Sequence, residues 1–173
     1  MSNRSSVSSS HAPAAPFPAR VYVETYGCAF NQSDGEVMAG LLVRAGFEIA
    51  ATAEDADAVI VNSCTVKDRT YLDFRKRVGQ LTGSTAPSHS PSPRRPAVIL
   101  AGCVPRVPGQ SREFSGFSQI GPDSLADLPE VVARTLSGET VIRMGRQPDP
   151  ALLSLPVRRR NPGIEIIPIS KGC

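Results

Sequence analysis

An α/β layer sandwich with a mostly parallel sheet is the fold class the sequence predicts, and three observations predict it. Short β-branched or apolar runs alternate with segments of helical periodicity. The runs recur at the spacing of one strand–helix–strand unit. Those of the second and third units are continuously apolar, as strands buried on both faces are. A chain of 173 residues, 40 % of them apolar, suits one domain with tails and can bury a real core.

Residues 1–19 are Ser/Ala/Pro-rich and read as a disordered tail; the absence of an apolar h-region argues against a secretory signal. Arg4, with no acidic residue before Glu24, leaves an organelle transit peptide as the lesser alternative. The domain proper is expected over 20–144. Val21-Tyr22-Val23-Glu24-Thr25-Tyr26 is a predicted strand that Gly27-Cys28 ends. Ser33 with Glu36 fits a capping box, Val37, Leu41, Leu42 and Ala45 recur at helical spacing, and Gly46 stands where a C-terminal cap belongs. Phe47–Ala50 is a short strand or the helix exit. Ala58–Val61 is the second buried strand, ended by Asn62-Ser63-Cys64; Thr65 can cap a helix whose apolar stripe is Tyr71, Phe74, Val78 and Leu81. Residues 83–96, dense in Ser, Pro and Gly, read as a flexible insertion. Ala97–Ala101 is the third buried strand, ended by Gly102-Cys103. Phe117–Ile120 is a further strand, Ser124 can cap a helix carrying Leu125, Leu128, Val131, Val132 and Leu136, and Thr140–Met144 closes the domain. The Pro/Arg-rich stretch 145–163 reads as a linker, and Ile164–Ile169 as the strand that opens a further unit over 164–173. The class is flavodoxin-like or Rossmann-like in general terms; the pattern leaves the strand order open.

The net charge of +3 permits an RNA partner without demanding one. Three Tyr, six Phe and no Trp make no aromatic platform for stacked bases. No run reaches the roughly 18 apolar residues of a membrane span.

Of the four cysteines, three occupy equivalent places. Cys28, Cys64 and Cys103 each follow the end of a predicted strand, each behind a small residue, 36 and 39 residues apart. Strands of a parallel sheet end along one edge, where α/β folds place ligands, so the three are expected to converge there. Thiolates select iron–sulfur clusters, zinc or Cu(I). Three of them leave a coordination position open, which suits chemistry better than scaffolding. Gly27 and Gly102 would let backbone approach a cluster. A single cysteine at a strand end is more often a core filler, and on spacing alone a metal site and inert core thiols stand level. His11 and His89 lie in low-complexity segments and make poor zinc partners, and no Cys-x-x-Cys pair supports a redox disulfide.

The motifs around these cysteines resemble a known family. Tyr26-Gly-Cys28-Ala-Phe-Asn31-Gln-Ser-Asp34, Asn62-Ser-Cys64-Thr-Val-Lys67 and Leu100-Ala-Gly-Cys103-Val-Pro105 resemble the three signatures of the N-terminal domain of the radical-SAM methylthiotransferases. The closing Asn161-Pro162-Gly-Ile-Glu165-Ile-Ile-Pro-Ile-Ser-Lys-Gly-Cys173 is similar to the entry into that family's radical-SAM barrel. Within the family, Thr-Val-Lys67 and Arg159-Arg160-Asn161-Pro162 are most similar to the archaeal and eukaryotic branch that acts on N6-threonylcarbamoyladenosine at tRNA position 37; the other branches act on isopentenyladenosine in tRNA or on an aspartate of a ribosomal protein.

The resemblance implies that Cys28, Cys64 and Cys103 hold an auxiliary [4Fe-4S] cluster. It implies that Cys173 is the first ligand of a second [4Fe-4S] cluster, which cleaves S-adenosyl-L-methionine. Its implied partner is the tRNA anticodon loop, with the sulfur donor unspecified, and the protein is expected to be a cytoplasmic monomer with no membrane segment. The rest of the radical-SAM cysteine motif, the barrel and the RNA-binding domain have no counterpart in these residues. The expectation is therefore a fragment, inactive alone, with Cys173 an accessible thiol.

Other residues have plainer readings. Arg158-Arg159-Arg160, with Arg146 and Lys171, could meet phosphates, though a solvated linker is the preferred reading. Asn31, Asp34 and Lys67 could orient substrate or merely cap helices. Tyr26 reads as core, and Pro105 fits either a loop that turns away from a cluster or any ordinary turn. Two competing functions stay open: a non-catalytic zinc or cluster module, and a nucleotide- or flavin-binding domain. Against the second, no Gly-x-Gly-x-x-Gly or Walker loop follows the first strand.

Overall fold

The computed structural model describes residues 18–65, 68–83, 95–145 and 154–167. Among them run β1 (Arg20–Tyr26), α1 (Ala29–Arg44), β2 (Glu48–Ile49), β3 (Ala58–Ser63), α2 (Asp68–Thr82), β4 (Ala97–Gly102), α3 (Pro108–Glu113), β5 (Ser118–Ile120), α4 (Leu128–Leu136) and β6 (Ile142–Arg143). The strands form one sheet in the order β2-β1-β3-β4-β5-β6, every neighbouring pair parallel. This is the flavodoxin-like order, which doubles back between β1 and β3.

Alternation along the strands feeds two cores. Ala58 and Ile60 of β3, with Ile99 and Ala101 of β4, face α1 and α4 through Met38, Leu41, Leu42, Leu128 and Val132. Val59, Val61, Val98 and Leu100 face the other way, onto Phe74 and Val78 of α2 and Phe114 just beyond α3. There the rings of Phe74 and Phe114 meet edge to face with centroids 5.4 Å apart. All six residues of β3 are buried, as the centre of a parallel sheet requires. No helix among the described residues is long and apolar enough to cross a membrane.

Several local expectations are corrected. α1 begins directly after Cys28, so Ser33 lies buried inside the helix and forms no capping box with Glu36. Gly46 does follow the helix at φ +91°, in the left-handed region that favours glycine. The described part of α2 begins at Asp68, and residues 66 and 67, between it and the expected cap Thr65, lie outside the described residues. Ser124 sits within a 3-10 segment, Pro122–Asp127, and its hydroxyl donates to the Gly145 carbonyl at 3.0 Å; α4 starts only at Leu128. Helix α3, opened by Pro108, fills a stretch with no element predicted. Residues 164–167 carry no strand. Residues 1–17, 84–94 and 168–173 lie outside the described residues, and with them His11, His89, Lys171 and Cys173, most of the tail and insertion, and the end of the 164–173 unit.

The stretch read as a linker is partly built into the domain. Leu155 packs against the α1/α4 core. Gly40 of α1 meets the Pro156 carbonyl and Val157 so closely that a Cβ would collide with both. The Arg158 N–H donates to the Glu36 carbonyl at 3.0 Å and the Arg160 N–H to its carboxylate at 3.1 Å. The Arg159 guanidinium stands 3.6 Å from the same carboxylate and also pairs with Glu165. Residues 156–160 thus run antiparallel to α1, from Gly40 toward Cys28.

Candidate metal centre at the carboxyl edge of the sheet

Three adjacent parallel strands, β1, β3 and β4, end at one level. Tyr26 is in register with Ser63, and Ser63 with Gly102. Cys64 and Cys103 directly follow β3 and β4, and Cys28 follows β1 after Gly27. The ladder runs on into the cysteines themselves: the Cys64 N–H donates to the Tyr26 carbonyl at 3.2 Å, and the Cys103 N–H to the Ser63 carbonyl at 2.8 Å. This edge includes the β1/β3 reversal, where doubly wound sheets bind ligands.

Two glycines let the cysteine segments approach each other. At Gly27, φ +131°, a Cβ would stand 2.5 Å from the Cβ of Cys64. At Gly102, φ +87°, it would stand 2.5 Å from both the Ser63 carbonyl and the Asn62 Oδ1. Either substitution would force the segments apart and strain the backbone.

Cys28 is exposed, Cys103 half-buried and Cys64 buried, and none is in a disulfide. Cys28 is also the N-cap residue of α1, so the positive end of that helix faces this edge. The backbone positions of the three cysteines lie side by side on neighbouring strand ends. Among the described residues, however, no three His, Cys, Asp or Glu side chains stand gathered as a metal-holding group. In donor type and backbone level the three cysteines fit a soft three-thiolate ligand set. Asn31 and Asn62 are buried just behind them, and the Cys28 thiol donates to Asn31 Oδ1 at 3.2 Å.

A polar cluster the sequence reading missed flanks this edge. The Arg77 guanidinium donates through Nε to both oxygens of Glu24, at 3.0 and 2.9 Å, and the Tyr26 hydroxyl donates to Glu24. Tyr26 is half-buried against the α2 side of the core, so it is partly the core residue expected. Burial first, and the Glu24 bond second, push its pKa well above the ordinary tyrosine value. The signal in the sequence was Glu24, an acidic residue inside an otherwise apolar strand. Asp34 is half-buried in α1, whereas Lys67 and Arg146 lie outside the described residues. Arg159 is engaged by two carboxylates, whereas Arg158 and Arg160 are exposed, as in the solvated linker expected.

The profile of uncharacterized protein family UPF0004 matches residues 20–116, just over half of the chain. A threonylcarbamoyladenosine tRNA methylthiotransferase of Mus musculus is 37 % identical over 160 residues, which cover 89 % of this chain and 26 % of the mouse protein. Its Drosophila melanogaster counterpart is 38 % identical over 170 residues, 94 % of this chain and 29 % of the fly protein. A "probable threonylcarbamoyladenosine tRNA methylthiotransferase" of Methanothermobacter thermautotrophicus is 36 % identical over 156 residues, 89 % of this chain and 34 % of its own length. The chain thus spans about a quarter to a third of the length of the curated relatives it matches.

Proposed function

We propose a function on the premise that the chain belongs to uncharacterized protein family UPF0004: it is the N-terminal part of a tRNA methylthiotransferase. On this reading the whole enzyme converts N6-threonylcarbamoyladenosine at tRNA position 37 to its 2-methylthio derivative. The observation that carries it is the placement of Cys28, Cys64 and Cys103 at one level on three adjacent parallel strand ends. Homology to relatives named for this reaction supports the substrate.

The three thiolates would hold an auxiliary [4Fe-4S] cluster with one iron free of protein ligand. Bound there, the cluster would supply the site that presents sulfur for insertion. The residues of this chain provide the rest of the setting. Gly27 and Gly102 keep the ligand loops in contact, and burial of Cys64 excludes water from the inner side of the site. The exposure of Cys28 leaves the outer side open to substrate. Cys173 would be the first ligand of the second [4Fe-4S] cluster, the one that uses S-adenosyl-L-methionine. Residues 20–144 would form the domain that carries the auxiliary cluster, and the tRNA anticodon loop would be the partner.

Iron and acid-labile sulfide, measured after anaerobic reconstitution, test this directly. The wild-type chain should hold about one four-iron cluster, and Cys28→Ala, Cys64→Ala and Cys103→Ala should each lose it. Cys173→Ala should retain it. Zinc bound as well as iron, or equal dependence on all four cysteines, would favour a non-catalytic metal module instead.

A further inference from the structure

Asn62 occupies a position where the fold calls for an apolar side chain. It lies near the end of central strand β3, fully buried, following Val59, Ile60 and Val61. Its Nδ2 donates to the Asn31 backbone carbonyl at 2.8 Å and reaches the Thr25 hydroxyl at 3.5 Å. Its Oδ1 accepts from Asn31 Nδ2 at 3.4 Å and faces Gly102, whose missing side chain leaves it room. One amide therefore touches the end of β1, the first turn of α1 and the end of β4, while its own strand carries Cys64 two residues on. Asn31, 2 % exposed, extends this contact to the Cys28 sulfur.

Burying an amide costs free energy that only its hydrogen bonds return, and an apolar side chain of the same branched shape needs no such bonds. The pair is satisfied by bridging two cysteine-bearing segments, that of Cys28 and that of Cys64, and it abuts the third at Gly102. We propose that Asn62 is a positioning residue that sets the spacing of the Cys28 and Cys64 segments and, by abutting Gly102, that of the Cys103 segment, and that Asn31 carries it to the first turn of α1, which Cys28 caps. Neither ligates. The inference rests on reading the three cysteines as a cluster site, and it adds a determinant of how tightly that site holds metal.

The test uses the full 173-residue chain and the variants Asn62→Leu and Asn31→Leu, both reconstituted anaerobically. Three quantities are read: iron per chain, the rate of iron loss to a chelator, and the thermal midpoint of the metal-free protein. Groups that orient metal ligands are worth about 10–100-fold in affinity. Each variant should accordingly lose iron at least about tenfold faster than wild type, with a metal-free midpoint within a few degrees of it. The double variant should be little worse than either single one, because the two amides act as a unit. Wild-type iron content and loss rate in a folded Asn62→Leu protein would overturn the proposal. Should Asn62→Leu fail to fold, Asn31→Leu decides alone, since its amide closes the same bridge from a helix. If wild type and cysteine variants alike hold no iron, the cluster reading itself fails and the inference falls with it.

Discussion

Tyr26 makes a pH signature out of one hydroxyl. In the folded protein its proton is held by burial and by Glu24, whereas the unfolded chain releases it near the ordinary value of about 10. A raised native pKa means the stabilisation is fully present below about pH 10 and drains away as pH climbs toward the native value. Unfolding by urea at about pH 8 and about pH 11 should therefore show a loss of stability in the wild type that is smaller in Tyr26→Phe. Tyr71, raised likewise by burial and by its bond to Glu113, remains in both proteins, so the difference isolates Tyr26. An identical loss in the two would mean that the Glu24–Arg77–Tyr26 contact does not persist in solution. Two left-handed glycines make a second comparison. Gly46 has nothing within 4 Å of a notional Cβ, whereas Gly102 faces the Ser63 backbone. Gly46→Ala should cost about 1 kcal/mol for conformation alone. Gly102→Ala should cost more, about 2–3 kcal/mol, with loss of iron binding, because Ser63 and Asn62 cannot yield without moving β3 from β4. Equal costs would show that the β3–β4 edge is softer than its contacts suggest.

At the scale of elements, the strands were legible because each is a short dense run with a glycine or polar stop, and the parallel class followed from their continuous apolarity. The cysteine positions were legible for the same reason, being fixed to strand ends. Helix starts were not. Ser33 and Glu36 have capping-box spacing, yet their backbone belongs to a helix that the β1 turn at Gly27-Cys28 has already launched. Helix α3 was hidden because Pro108-Gly109 reads as a breaker, although proline at the first helical position costs nothing. What holds α3 is a side chain beyond its own turn: Gln119 of β5, fully buried, donates to the carbonyls of Ser111 and Phe114, eight and five residues back, at 3.2 and 2.8 Å. The Asn31–Asn62 bridge and the Glu24–Arg77 pair were out of reach because each joins residues more than thirty positions apart.

For the whole molecule, the strap of residues 154–160 is the contact that local composition hid most completely. Glu36 and Gly40 hold it, and Gly40→Val should release it. The expected result is loss of hydrogen-exchange protection at the Arg158 amide with a nearly unchanged global unfolding midpoint. Retained protection would mean that Leu155 alone anchors the segment. The direction of this strap bears on how later residues find the cysteine edge. Gly40 to Glu36 is a rise of about 6 Å and Glu36 to Cys28 a further ~12 Å, so at Arg160 the chain has been carried about a third of the way from Gly40 to that edge. Any group beyond Arg160 that must meet that edge closes a ring counted from Arg160, not from Met144 at the end of the sheet. Each halving of ring length lowers the entropic cost by about 0.6 kcal/mol, close to a threefold gain in local concentration without a single added contact.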